Sequence, residues 1–315
     1  MSIVERAADL MRPVSQPREE PLGVSEVKSV EPDLIERAFA NDGLHSRSSP
    51  NANRVPVADA KPSHAPDSRQ VSRLLHIDIA KLREQSVISP DGERTPNAES
   101  FRRIKRKILY DAVNPKSEAA TNLVMVSSAL PGEGKSFCTV NLAISIAMET
   151  NRTVLLVDAD VAKPSITSVL GVRSKDERGL MDVLLDKRID LADVLCKTDI
   201  ANLTILPAGT QHTRSTEMLA GDRMGALLAE MAERYNDRII LFDSPPLLVA
   251  SEASVLAGRM GQILLVVEAG RTTERVLKDA LARVESCNVV GLLLNKGTAS
   301  AAGYDVYGYG YGYGA

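Results

Sequence analysis

The hexapeptide Pro131-Gly132-Glu133-Gly134-Lys135-Ser136 lies between the apolar run 123–128 and a segment in which Val140, Ala143, Ile144 and Ala147 recur at helical spacing. Glycines let backbone N–H groups approach an anion without Cβ obstruction, and a helix N-terminus adds partial positive charge. A strand-to-helix junction of this kind is built to hold phosphate. In such a loop the lysine reaches the β- and γ-phosphates of a nucleotide, and the hydroxyl that follows it ligates Mg²⁺. Lys135 and Ser136 take those parts, with Pro131, Gly132, Glu133, Gly134 and Phe137 completing the cradle. The common spacing asks for glycine at 129, where this chain has Ala129.

Two further apolar runs end in carboxylates. Val157-Asp158-Ala159-Asp160 puts two of them at i and i+2 just past a buried strand, where they are expensive unless a cation or a hydrogen-bonding group compensates. Mg²⁺ and a reacting hydroxyl would compensate; capping of the next helix is the plainer alternative. Leu241-Phe242-Asp243-Ser244-Pro245-Pro246 has the Walker B form, an Asp after an apolar strand that holds Mg²⁺ directly or through water. Its plainer alternative is a turn-initiating Asp. Asp158 and Asp243 are therefore expected metal ligands with Ser136. Lys135, Asp158, Asp160 and Asp243 are the expected catalytic groups. At the end of the last apolar run, the Asn295 amide could read a purine edge. A guanine motif of the NKxD type would need Asp at 298, where Thr298 stands, so ATP is the expected nucleotide.

These residues need a scaffold that brings several strand ends together. Apolar, Val/Ile/Leu-rich runs at 123–128, 153–159, 202–208, 238–244, 262–269 and 289–295 alternate with helical patterns near 134–149, 179–196, 214–235, 250–259 and 273–286. Runs without strict apolar/polar alternation are typical of strands buried on both faces of a parallel sheet. The expected fold is α/β: a doubly wound, mostly parallel P-loop sheet with ligands at the carboxyl ends of the strands. Its span is 116–300. Residues 75–115 read as a helical extension, with amphipathic stretches at 77–91 and 99–113. Half of the 16 prolines fall in the first 70 residues, so 1–74 is expected to be mostly disordered. At 25% charged residues, with no apolar run near the roughly 18 needed to span a bilayer, a soluble protein is expected. The N-terminus interrupts its apolar residues with Glu5 and Asp9, unlike a signal peptide, and the unpaired Cys138, Cys196 and Cys287 suit a reducing compartment.

The chain has no Trp and 7 Tyr, and five of those tyrosines, Tyr304, Tyr307, Tyr309, Tyr311 and Tyr313, crowd into 301–315 among alternating glycines. Such a tract cannot build a core. It reads as an exposed acceptor of modification, with a tether or a self-associating tract as alternatives.

The loop PGEGKS, the motif VLLVDADVAKP, the motif IILFDSPP and the tyrosine tail together resemble the bacterial tyrosine autokinase (BY-kinase) family over residues 75–315. More narrowly, they resemble cytoplasmic kinases paired with a polysaccharide chain-length determinant protein. ParA/MinD-type ATPases share the topology but typically carry a second lysine early in the loop, where Leu130 stands, and they would act as nucleotide-gated assembly or positioning modules. The resemblance implies autophosphorylation of the tail in trans and ATP with Mg²⁺ as cofactors. It implies a ring-like homo-oligomer, a membrane-embedded chain-length determinant (polysaccharide co-polymerase) as activator and a tyrosine phosphatase as counterpart. It places the protein in the cytoplasm at the inner membrane, in exopolysaccharide polymerisation or export. Asp160 or Asp158 would accept the tyrosine proton. The family's E-x-x-R-x-x-R docking helix maps onto Glu99, Arg102 and Lys105, with Lys replacing the last Arg, although Glu99–Arg102 could also pair within the helix. The basic cluster 102–107 could meet acidic lipid or nucleic acid instead. On the resemblance, self-association is expected and nucleic acid is not. Where the family's acidic motif commonly has arginine, this chain has Ala162, followed by Lys163.

Overall fold

The computed structural model describes residues 73–297, apart from 92–94, 114–119, 173–177, 236, 286, 288 and 289. The expected disordered region before residue 73 and all five tail tyrosines lie outside the described residues. The described chain runs β1 (Arg73–Leu75), α1 (Ile79–Glu84), α2 (Pro96–Val113), β2 (Leu123–Ser128), α3 (Lys135–Ala147), β3 (Thr153–Asp158), α4 (Ile166–Val169), α5 (Leu180–Leu185) and α6 (Leu191–Val194). It continues through β4 (Cys196–Thr198), β5 (Leu203–Leu206), α7 (Ser215–Ala220), α8 (Asp222–Arg234), β6 (Arg238–Asp243), α9 (Ser251–Ala257), β7 (Gln262–Glu268), α10 (Glu274–Ala282) and β8 (Val290–Asn295).

The strands form one sheet in the order β1-β4-β5-β3-β6-β2-β7-β8, with β4–β5 antiparallel and the other neighbours parallel. Successive side chains on a strand point to opposite faces, and here both faces are covered. Leu123, Met125, Leu155 and Val157 enter one apolar cluster, while Val124, Val126, Val154 and Leu156 enter the other. That double burial is why these strands read as unbroken apolar runs. Helix α3 is buried along its whole length from Cys138 to Ala147, because it packs on the second face and is roofed by Phe101 and Ile108 of α2.

The six expected strands are present, and β1 and β4 are additions. They were missed because three-residue pairings at a sheet margin carry no periodicity. Arg73 and Leu74 of β1 fall inside the span expected to be disordered, and they pair with Cys196 and Lys197. Two long helical patterns split. The 179–196 pattern breaks where the Asp190 side chain accepts from Ala192 N–H at 2.8 Å, starting α6 afresh. The 214–235 pattern breaks at Gly221, whose extended backbone separates α7 from α8. The 77–91 pattern yields only α1, opened by the Asp78 side chain on Lys81 N–H and followed by Ser86 at φ 58°. Among the described residues, no helix is long and apolar enough to cross a membrane.

Candidate nucleotide site

Strands β3, β6 and β2 are adjacent and parallel, so their carboxyl ends meet at one edge of the sheet. Asp158 and Asp243 are direct register partners at the ends of β3 and β6, and the phosphate loop leaves β2 beside them. The loop needs left-handed backbone at two positions, Gly132 at φ 87° and Gly134 at φ 94°, a region that residues with a Cβ enter at a cost of about 1–2 kcal/mol. A Cβ on Gly134 would also collide with the Asn295 amide nitrogen. Ala129, at the position where glycine is usual, is buried and its carbonyl accepts Leu248 N–H at 3.2 Å. Its methyl group therefore packs inward, away from the cradle.

Lys135 stands at the first turn of α3 and points back across the loop. Its Nζ is 2.7 Å from Asp160 Oδ2, 3.9 Å from Asp243 Oδ1 and 3.3 Å from Ser136 Oγ. Burial alone would lower the lysine pKa, but the Asp243 and Asp160 carboxylates outweigh it and hold the ammonium above its ordinary value. Asp158 Oδ2 accepts N–H groups from Ser165 at 3.0 Å and Ile166 at 3.1 Å, so this carboxylate does open the following helix, α4. Its other oxygen, Oδ1, is buried with no hydrogen bond, and so is Asp243 Oδ2. Capping and site chemistry are thus divided between two oxygens of one side chain. Burial, and then the Asp243 charge, push the Asp158 carboxyl up to about 7. Burial pushes Asp243 up to about 6, opposed by Lys135 and the hydroxyls of Ser136 and Thr139. The Cys138 thiol below them is pushed up to about 12 by burial and by Asp243, which leaves it inert.

Several expected site residues take other parts. Glu133 turns its carboxylate away from the cradle, accepting Leu130 N–H at 2.8 Å and the Thr272 hydroxyl. Phe137 is half-buried and packs against the apolar cluster around α3. The Asn295 amide nitrogen donates to the Glu133 carbonyl at 2.9 Å, which ties the end of β8 to the loop. Lys105 is buried, donating to the Ser145 carbonyl at 3.1 Å and pairing with Glu149. Arg102 pairs with Glu99 at 3.0 Å within α2. Ala162 and Lys163 are both exposed.

Four contributors escaped the sequence reading. Thr139 donates to Asp243 Oδ1 at 3.3 Å, and Ser165 Oγ lies 2.7 Å from Ser136 Oγ. Thr272 and Lys296 hold the loop from outside. A signal existed only for Thr139, a polar residue one turn after Lys135 on a largely apolar helix.

Bare buried carboxylate oxygens beside a lysine and a glycine cradle fit a phosphorylated nucleotide with a hard divalent cation. Among the described residues no group of three or more acidic, His or Cys side chains forms a metal cage by itself. Mg²⁺ commonly takes one or two protein oxygens and completes its shell with phosphate and water.

Fold and site define a P-loop nucleotide-binding protein, and the family model of the AAA domain (AAA_31) matches residues 121–286. Tyrosine-protein kinase wzc of Salmonella typhimurium is 32% identical over 230 residues, 72% of this chain and 31% of that protein. Succinoglycan biosynthesis transport protein ExoP of Rhizobium meliloti is 34% identical over 225 residues, 70% of this chain and 27% of that protein. Among solved structures, the kinase domain of the Escherichia coli tyrosine kinase ETK superposes with a TM-score of 0.57 at 27% identity, over 75% of this chain and 86% of that one. The chain belongs to the bacterial tyrosine kinase (BY-kinase) family. It spans about a third of the length of the two curated relatives.

Proposed function

We propose that this chain transfers the γ-phosphoryl group of ATP to tyrosine hydroxyls, with Tyr304, Tyr307, Tyr309, Tyr311 and Tyr313 as acceptors, each tail entering the site of a neighbouring copy. The observation that carries the reading is the Lys135 ammonium held between Asp160 and Asp243, beside two bare buried carboxylate oxygens, at the mouth of a glycine cradle. The names of the relatives support the same activity.

The tyrosine oxygen bonds to the γ-phosphorus, the bond to the ADP oxygen breaks, and the tyrosine proton must be taken up. Lys135 and the loop N–H groups neutralise charge on the β- and γ-phosphates and keep them in line, so that catalysis is mostly positioning and electrostatics. Asp158 or Asp160 would take up that proton: Asp158 Oδ1 has no hydrogen bond, and Asp160 Oδ2 lies 2.7 Å from the Lys135 ammonium. Ser136 and Asp243, with Asp158, are the residues that would hold Mg²⁺. When bound, it would offset charge building on the phosphate oxygens.

The wider setting is proposed on the same basis: ring-like self-association through the outward Glu99 and Arg102 of α2, Lys105 being turned inward onto Ser145 and Glu149, and activation by a membrane-embedded chain-length determinant. A phosphatase would reset the tail, and the work would be done at the inner membrane in exopolysaccharide export. Incubation with ATP and Mg²⁺, followed by phosphosite mapping by mass spectrometry, tests the activity, and it is repeated with the cytoplasmic end of a chain-length determinant protein present. Phosphate on the tail tyrosines supports the reading. ATP hydrolysis with an unmodified tail in both arms would replace it with an assembly ATPase.

A further inference from the structure

The outer side of the phosphate loop is gripped by groups that phosphate binding itself does not call for. Asn295 Nδ2 donates to the Glu133 carbonyl at 2.9 Å, and Lys296 Nζ donates to the Gly132 carbonyl at 2.7 Å. Lys296 is also held by Glu268 Oε1 at 3.1 Å. Its backbone lies at φ 58°, a conformation that a non-glycine residue keeps where its surroundings over-determine it. The Glu133 side chain adds a third grip. It is buried, with one oxygen on Leu130 N–H and the other on the Thr272 hydroxyl. Thr272 Oγ1 accepts Glu268 N–H at 3.1 Å, which turns its own proton toward Glu133.

The geometry of the peptide group gives these contacts a consequence. In a trans peptide the carbonyl of one residue and the N–H of the next point in opposite directions, and no described peptide here is cis. Holding the Gly132 carbonyl toward Lys296 therefore aims the Glu133 N–H the other way. Holding the Glu133 carbonyl toward Asn295 does the same for the Gly134 N–H. Both N–H groups then face the cradle side, where a phosphate oxygen would accept them.

We infer that Asn295, Lys296 and the Thr272–Glu133 pair are positioning residues that aim the Glu133 and Gly134 N–H groups at nucleotide phosphate by fixing the opposite ends of their peptide groups. This rests on the nucleotide-binding reading and changes the part assigned to Asn295. The residue acts on phosphate through the loop, not on the base.

The experiment compares ATP with inorganic tripolyphosphate, which has no base, on the full chain by calorimetry. The variants are Asn295→Leu, Thr272→Val and Thr272→Ser. Asn295→Leu is expected to weaken both ligands by the same factor, about tenfold, the scale of one hydrogen bond. Thr272→Val should weaken both by about threefold to tenfold, with Thr272→Ser restoring the loss. A loss confined to ATP in Asn295→Leu would overturn the inference in favour of base recognition. Unchanged binding in folded Asn295→Leu and Thr272→Val would overturn it outright. If Asn295→Leu does not fold, the Val/Ser comparison at 272 decides alone. Wild-type protein that binds neither ligand would defeat the nucleotide reading itself, an outcome separate from the others.

Discussion

Asn in place of Asp158 should make the protein more stable and catalytically dead, and the gain should depend on pH in a way fixed by the site. The Asp158 carboxyl is raised from 3.8 to about 7 in the folded state. The folded protein therefore binds a proton more readily than the unfolded chain, and stability from this group falls as pH rises from about 4 to about 7. Above that window the ionised group costs the fold at most about 4 kcal/mol, the free-energy equivalent of a shift of roughly three pH units. At pH 5 the same relation leaves about 2 kcal/mol, and near pH 4 almost none. Asp158→Asn keeps an oxygen for the Ser165 and Ile166 N–H groups and places an amide where the bare Oδ1 now sits, near the Asp243 carboxylate. Part of the ceiling is lost because Asp158 also helps hold the Lys135 charge, so about 2 kcal/mol of stabilisation is expected at pH 8. Urea denaturation of metal-free protein in EDTA, at pH 8, 6.5 and 5, measures it. An Asn variant less stable than wild type at pH 8, or a gain that does not shrink toward pH 5, would refute the reasoning.

Lys135→Met should abolish tail phosphorylation by mass spectrometry. By stranding Asp160 and Asp243, both buried, it should also cost roughly 3 kcal/mol at pH 8, with part recovered at pH 5 as Asp243, raised to about 6, takes up a proton. Gly134→Ala should lower ATP affinity at least tenfold in a titration, because its Cβ would meet the Asn295 amide and its φ of 94° stays strained. Adding Asn295→Ala removes the collision but also the bond to the Glu133 carbonyl, so affinity should not return to that of wild type. Arg102→Glu should reduce the size of the oligomer in light scattering while leaving the circular dichroism spectrum unchanged. The arginine is partly exposed on α2 and pairs with the neighbouring Glu99 on the same helix, so its loss disturbs no core contact.

The sheet was legible because its signal repeats. Leu123–Ser128, Thr153–Asp158, Arg238–Asp243 and Gln262–Glu268 are apolar on both faces, and their regular alternation with helical patterns points to a covered parallel sheet. The chemistry at the strand ends was legible for a related reason: Asp158, Asp160 and Asp243 are charges placed where burial penalises charge. What stayed hidden depends on partners distant in sequence. Glu133 and Thr272 are 139 residues apart, and nothing in either neighbourhood announces the bond. Phe137 follows the loop serine as a phosphate contact would, yet its side chain, partly buried, packs against the apolar cluster around α3. Lys105 shows the same limit. Its spacing from Glu99 and Arg102 suggests an outward face, but the approach of α3 supplies the Ser145 carbonyl and Glu149, and the side chain folds inward to meet them.

The balance of charge at the site gives those buried carboxylates a common explanation. With all groups ionised, Asp158, Asp160 and Asp243 face the single ammonium of Lys135, which leaves two negative charges uncompensated in a place from which water is largely excluded. The protein answers by holding protons more tightly at Asp158 and Asp243, the two carboxylates with a bare oxygen. A hydrophobic replacement at either position would fill the sheet edge at lower cost, so fold stability alone gives no reason for the cluster. A divalent cation would cancel the excess, lower both carboxyl pKa values and leave Lys135 free to turn toward a phosphate. The cost of that excess charge and its fitness for a magnesium nucleotide are the same property, and that is why stability and activity should move in opposite directions at Asp158.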